Sequence, residues 1–172
     1  PSSTLHLRGL ATRITSVIEA SQPSLEFAAF GSLRRAALSD AVAWDREFGA
    51  VKDASGLGVE RNLFRYRPVP VAVRATAGTP LQDVLRIALA GLRTLAPFTL
   101  SVADGLPPAV RRALAALDVP VYAEKDVEWV QRVRGPLDVI AALADEDQVP
   151  RVPRVRIVGP PEARAALAEV LA

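Results

Sequence analysis

Val69-Pro70-Val71-Ala72-Val73-Arg74-Ala75-Thr76-Ala77-Gly78-Thr79-Pro80-Leu81-Gln82 is the stretch that decides the fold. Pro68 and Pro70 exclude a helix, and the β-branched run over residues 69–76 reads as a strand. Thr79, Pro80 and Gln82 then offer an N-cap, a proline at the first helical position and a capping-box glutamine, which predicts a helix to about Leu95.

Toward the C-terminus the alternation repeats. Residues 98–103 read as a strand, 107–117 as a helix, and 119–123 as a short strand. Asp126 is placed to cap a helix carrying Val127, Val130 and Val133; Gly135-Pro136 should break it, with a further helix over 137–144. A strand at 154–158 and a helix at 161–171 close the pattern. Four alternations of strand and helix imply a parallel sheet, and short, continuously apolar strands suit one covered on both faces. The expectation is a Rossmann-like α/β fold with a mainly parallel sheet of four or five strands and flanking helices.

Upstream, residues 1–50 read as a helical N-terminal segment. Leu5, Leu10, Ile14, Val17 and Ile18 form one face, Gln22-Pro23 a break, and a long amphipathic helix follows, interrupted near Ser39-Asp40 and ended by Gly49. Residues 50–60, with Gly56 and Gly58, read as a loop, and 62–66 as extended chain. The organisation expected is a helical segment at 1–50 and an α/β domain at 51–172, together one structural unit.

Composition excludes several kinds of chemistry. The 172 residues include no cysteine and one histidine, so a thiol nucleophile, a thiolate metal site, a disulfide framework and clustered histidine ligands are all ruled out. A formal net charge of +2 provides no strong field for nucleic acid. No apolar run reaches the roughly 18–20 residues a membrane span needs, and a cytoplasmic location is expected.

Functional motifs are sparse. The turn that would cradle a pyrophosphate, residues 75–80, carries a single glycine where a dinucleotide fingerprint needs several. Gly56-x-Gly58 precedes no helix, and His6 has no serine-bearing elbow to serve. Asp145, Glu146 and Asp147 read as a solvated helix end, and Asp104 as turn chemistry ahead of Gly105. The densest basic group is Arg61, Arg65, Arg67 and Arg74, with Phe64 and Tyr66 interleaved. In a strand, Arg61, Arg65 and Arg67 would share one face and the two aromatics the other. A platform for single-stranded nucleic acid is one reading of that pattern. The small net charge favours the other, a packed aromatic face with arginines paired to a neighbouring domain. Trp44, Phe48, Arg61, Phe64, Arg65, Tyr66 and Arg67 are therefore the candidate interdomain or subunit contacts, and no catalytic, cofactor-binding or metal-ligating residue is assigned.

Three stretches are more specific than these patterns: SDAVAWDREFG at 39–49, SGLGVERN at 55–62 and LFRYRPVPV at 63–71. Together they resemble the C-terminal region of actinobacterial bifunctional enzymes of proline utilisation, the PutA-type family that couples proline dehydrogenase to L-glutamate gamma-semialdehyde dehydrogenase. The likeness continues more loosely to RVRIVG at 154–159 and covers most of the chain after about residue 30. It implies a piece of a larger chain, a degenerate copy of the aldehyde dehydrogenase cofactor-binding fold that encloses the substrate path or supports assembly. The family's NAD, FAD, catalytic cysteine and general-base glutamate would then belong to other segments. The implied partners are the other domains of the parent chain and a second subunit, with no nucleic acid. A C-terminal tail present in the family is expected to lie beyond this sequence. The alternative is a degenerate dinucleotide-binding or small-ligand regulatory domain.

Overall fold

The computed structural model describes residues 9–53, 55–57, 60, 62–143 and 154–171. Its centre is a four-stranded parallel sheet of β3 (Val71–Ala75), β4 (Phe98–Val102), β5 (Val121–Ala123) and β6 (Arg154–Val158), in the order β5-β4-β3-β6. Val73 lies opposite both Leu100 and Arg156, which sets the register across the middle of the sheet. Helices α3 (Leu81–Thr94) and α4 (Pro108–Ala115) make the first two crossovers, α5 (Asp126–Leu143) precedes the return to β6, and α6 (Pro161–Leu171) follows it. A chain that steps outward from β3 and then returns to its other side has the strand order of half a doubly wound dinucleotide-binding fold.

The sheet is covered differently on its two faces. Odd positions of β3 and even positions of β4 point one way: Val73, Ala75, Leu100 and Val102 pack under α3 and α4. In α3 the buried set is Val84, Leu85, Ala88, Leu89 and Leu92, a stripe repeating every three to four residues that faces the sheet. Outside it lie α1 (Thr12–Ser21) and α2 (Phe27–Ala43), whose Ile14, Val17, Ile18, Phe30 and Leu33 join the same core. On the opposite face a smaller cluster of Ala72, Trp129, Val133 and Leu167 sits beneath α5 and α6. Among the described residues no helix is long and apolar enough to cross a membrane.

Several local expectations are corrected. The break between the N-terminal helices is a 3-10 turn at Gln22–Ser24, but α2 runs through Ser39 and Asp40 uninterrupted. It ends instead in a π turn, Trp44–Phe48, closed by the Gly49 N–H donating to the Trp44 carbonyl at 2.7 Å. A Cβ at Gly49 would lie 2.7 Å from Trp44 Nε1, so only glycine fits under the indole. The loop at 50–60 contains one strand of a small antiparallel ribbon, β1 (Lys52–Asp53) with β2 (Leu63–Phe64). Helix α5 passes through Gly135 and Pro136 without breaking. The fixed φ of a proline lies near the helical value, so Pro136 removes one backbone hydrogen bond without ending the helix. His6 and Asp145, Glu146 and Asp147 lie outside the described residues.

Candidate functional site

In a doubly wound sheet, ligands bind where the strand order reverses, here between the carboxyl ends of β3 and β6. At that edge the chain's own hydroxyls bridge β3 to β6, beside an open groove lined by Gly78, Val158, Gly159 and Arg164. The Val158 carbonyl accepts hydrogen bonds from the Thr76 N–H at 3.0 Å, Thr76 Oγ1 at 3.2 Å and Thr79 Oγ1 at 3.1 Å. Thr79 Oγ1 also donates to the Thr76 carbonyl at 2.6 Å. Thr79 therefore does not cap α3 as its sequence context predicts. Its single hydroxyl proton is shared between the near Thr76 carbonyl and the farther Val158 carbonyl, the capping position falls to Pro80, and no side chain completes the box.

Gly159 makes the bridge possible. Its φ of +142° is open to glycine, and a Cβ there would collide with Thr76 Oγ1 and lie 2.8 Å from Thr79 Oγ1. The amide just ahead of α3, Gly78 N–H, donates to Asp104 Oδ2 at 2.9 Å. A carboxylate of the chain itself thus occupies one of the donors a bound phosphate would use.

A second polar cluster lies on the α5 face of the sheet. Arg74 is fully buried, its Nε and Nη2 donating to Asp126 Oδ1 at 2.9 and 2.6 Å and its Nη1 to Ser101 Oγ at 2.6 Å. Asp126 is half exposed and opens α5. The sequence grouped Arg74 with Arg61, Arg65 and Arg67 and gave Asp126 a capping role, and the fold separates both from those assignments. Arg74 alternates to the interior as a strand residue must, and a buried guanidinium requires a carboxylate partner. Glu128 takes a capping part instead, accepting from the Lys125 N–H at 2.7 Å.

Beside this cluster Glu124 pairs with Arg132 at 2.6 Å, and Arg132 stacks on Tyr122 with its guanidinium carbon 4.0 Å from the ring centroid. Burial pushes the Glu124 pKa up, but the Arg132 and Ser101 hydrogen bonds and the Arg132 and Arg74 charges outweigh it and hold the carboxyl below its ordinary value. No signal in the sequence separated Arg74 from the exposed arginines except its position inside an apolar strand.

The sequence-derived contact residues form a loose apolar surface around the π turn and the ribbon. Trp44 is half-buried and Phe48 exposed, and the Phe48 and Tyr66 rings meet edge to face at 5.5 Å. Phe64, Arg65, Tyr66 and Arg67 are all exposed, and Arg61 lies outside the described residues. The aromatic face expected to be packed is therefore unburied within this chain, and only Leu63–Phe64 is strand. Ribbon residues Leu63 and Phe64 are about three-fifths exposed, 59% and 64%.

No family model matches the chain, and no curated protein matches it. One solved structure is similar. Proline Utilization A (PutA) from Corynebacterium freiburgense aligns at 28% sequence identity with a TM-score of 0.37, over 61% of this chain and 12% of that one. The chain thus spans about an eighth of the length of the protein it matches. The contacts among Thr76, Thr79, Gly159 and Val158 stand independently of that likeness.

Proposed function

We propose that this domain is a non-catalytic structural module of a bifunctional proline-catabolic enzyme of the PutA type. It would work in the cytoplasm by packing against the catalytic modules or a second subunit. The observation that carries this reading is the bridged edge between β3 and β6. The place where a doubly wound sheet would take a dinucleotide is bridged by Thr76 and Thr79 to Val158, and the Gly78 amide is given to Asp104. The sequence stretches 39–49, 55–62 and 63–71 support the assignment of the parent enzyme. Exposed Phe48, Phe64 and Tyr66 support a covered surface in the assembled protein. NAD and FAD would then be held by other segments.

One observation favours a second reading, a degenerate dinucleotide- or small-ligand-binding regulatory domain: the strand order β5-β4-β3-β6 is itself that of a nucleotide-binding half. Isothermal titration with NAD at millimolar concentration separates the two. The structural reading expects no saturable heat, and a saturable isotherm that disappears when NAD is replaced by nicotinamide alone would establish the second. Light scattering tests the assembly role, which expects weight-average mass to rise with concentration and fails if the chain is a strict monomer throughout.

A further inference from the structure

A cavity of about 460 Å³ lies toward the amino ends of β3 and β4. It falls within the range of small-molecule sites, roughly 300–1,000 Å³. Its walls are Trp44 and Phe48 from the π turn, Ile87 and Ala90 from α3, and Val71 and Phe98 from the sheet. The cavity exists because α3 leaves the β6 side of this face uncovered: Arg154, Val155 and Arg156 of β6 are all exposed, though parallel strands are ordinarily buried on both faces.

The rim is cationic. Arg86, Arg93 and Arg156 line it. Arg86 is answered by Asp40 at 3.0 Å and Arg93 by Asp45, whereas no described residue pairs with Arg156. Arg93 Nε is also buried without a hydrogen-bond partner among the described residues, and a buried donor of that kind calls for an acceptor. Arg86 and Arg156 further line a second, adjoining cavity of about 600 Å³ that passes Asp83, Val158 and Gly159 and reaches Arg164.

Apolar walls, with an arginine at the mouth that no described residue pairs, match a ligand with an apolar body and a negative charge. We propose that this groove is a binding site for an apolar monocarboxylate, its hydrocarbon part between Trp44, Phe48 and Ile87 and its carboxylate at Arg156. Arg156 provides the planar two-donor geometry a carboxylate accepts. The site shares Trp44 and Phe48 with the proposed assembly surface, so a ligand and a partner subunit would compete for it.

The chain carries a built-in reporter. Of its two tryptophans, Trp44 lines the groove, while Trp129 is fully buried on the opposite face of the sheet. Titrating the whole chain with decanoate should change Trp44 emission saturably. Decanol, of the same length but uncharged, should bind at least about tenfold more weakly, as should decanoate to Arg156→Gln. Ala90→Phe, which fills the cavity, should abolish the signal with an unchanged far-ultraviolet circular dichroism spectrum. The decanol comparison uses the unaltered protein and so survives a variant that fails to fold. The proposal is overturned by an absent or non-saturating response, by equal affinity for decanol, or by a Trp44 blue shift that grows with protein concentration alone, which would make a second copy of the chain the occupant.

Discussion

The two faces of the sheet are built on different principles. Under α3 and α4 the contacts are apolar throughout, with Val73, Leu85, Leu100, Val110 and Leu114 all nearly inaccessible. Under α5 and α6 the centre is a charge, Arg74, satisfied by Asp126 and Ser101 and flanked by a small cluster around Trp129. An apolar face tolerates imperfect geometry because burial is non-directional, whereas a buried charge requires specified partners at specified distances. The first face should therefore fail by degrees and the second by loss of single groups.

Four measurements test that contrast. Leu100→Ala, at the centre of the apolar face, is expected to lower unfolding free energy by about 3–4 kcal/mol in urea denaturation, the combined cost of lost burial and a cavity. A loss under about 1 kcal/mol would mean that the layer is not a single core. Asp126→Ala strands the Arg74 guanidinium and should cost about 3 kcal/mol, while Arg74→Met combined with Asp126→Leu should recover most of it. If the double variant is as unstable as the single one, the charge contributes something that apolar packing cannot replace.

Gly159→Ala tests the bridge between β3 and β6, which joins the two faces at the sheet's carboxyl edge. Strain at the positive φ and collision with Thr76 Oγ1 should cost about 2 kcal/mol, read as a lower thermal midpoint. An unchanged midpoint would mean that the Thr76 and Thr79 contacts to Val158 are dispensable. Glu124→Gln gives the smallest effect, about 1 kcal/mol at neutral pH. Its pH dependence has a definite sign. Glu124 has a folded pKa below its ordinary 4.5, so its contribution is fully present above that value and is lost as pH falls through the depressed folded one. The wild-type and Glu124→Gln stability curves should accordingly converge in acid; curves that stay parallel to low pH would remove Glu124 from the account.

How much of this was legible differs between the faces in the same way. Strand β6 and helix α6 have the bounds their periodicity predicts, and β3, β4, α3 and α4 fall within a few residues of theirs. Apolar periodicity is a property of single segments, so it survives without knowledge of their neighbours. Arg74 and Asp126 are 52 positions apart, and neither betrays the other. Thr79 shows a related limit: its capping-box context was complete, yet its hydroxyl turns back to the Thr76 carbonyl and also reaches Val158, 79 residues away. The ribbon carrying Phe64 and Tyr66 was legible as extended chain, but its exposure was not, because burial of a strand depends on what packs against it.

The sequence alone determined the alternation of strands and helices, and with it a parallel sheet, because binary patterning and proline punctuation act within a few residues. It also determined that no thiol chemistry is available, since composition requires no folding to be read. Only the tertiary structure decided that the crevice is bridged by Thr76 and Thr79, that Arg74 is interior, and that a cavity opens beside β6. Each of these depends on groups brought together from distant parts of the chain, and hydrogen bonds and cavities are properties of that meeting and not of either partner.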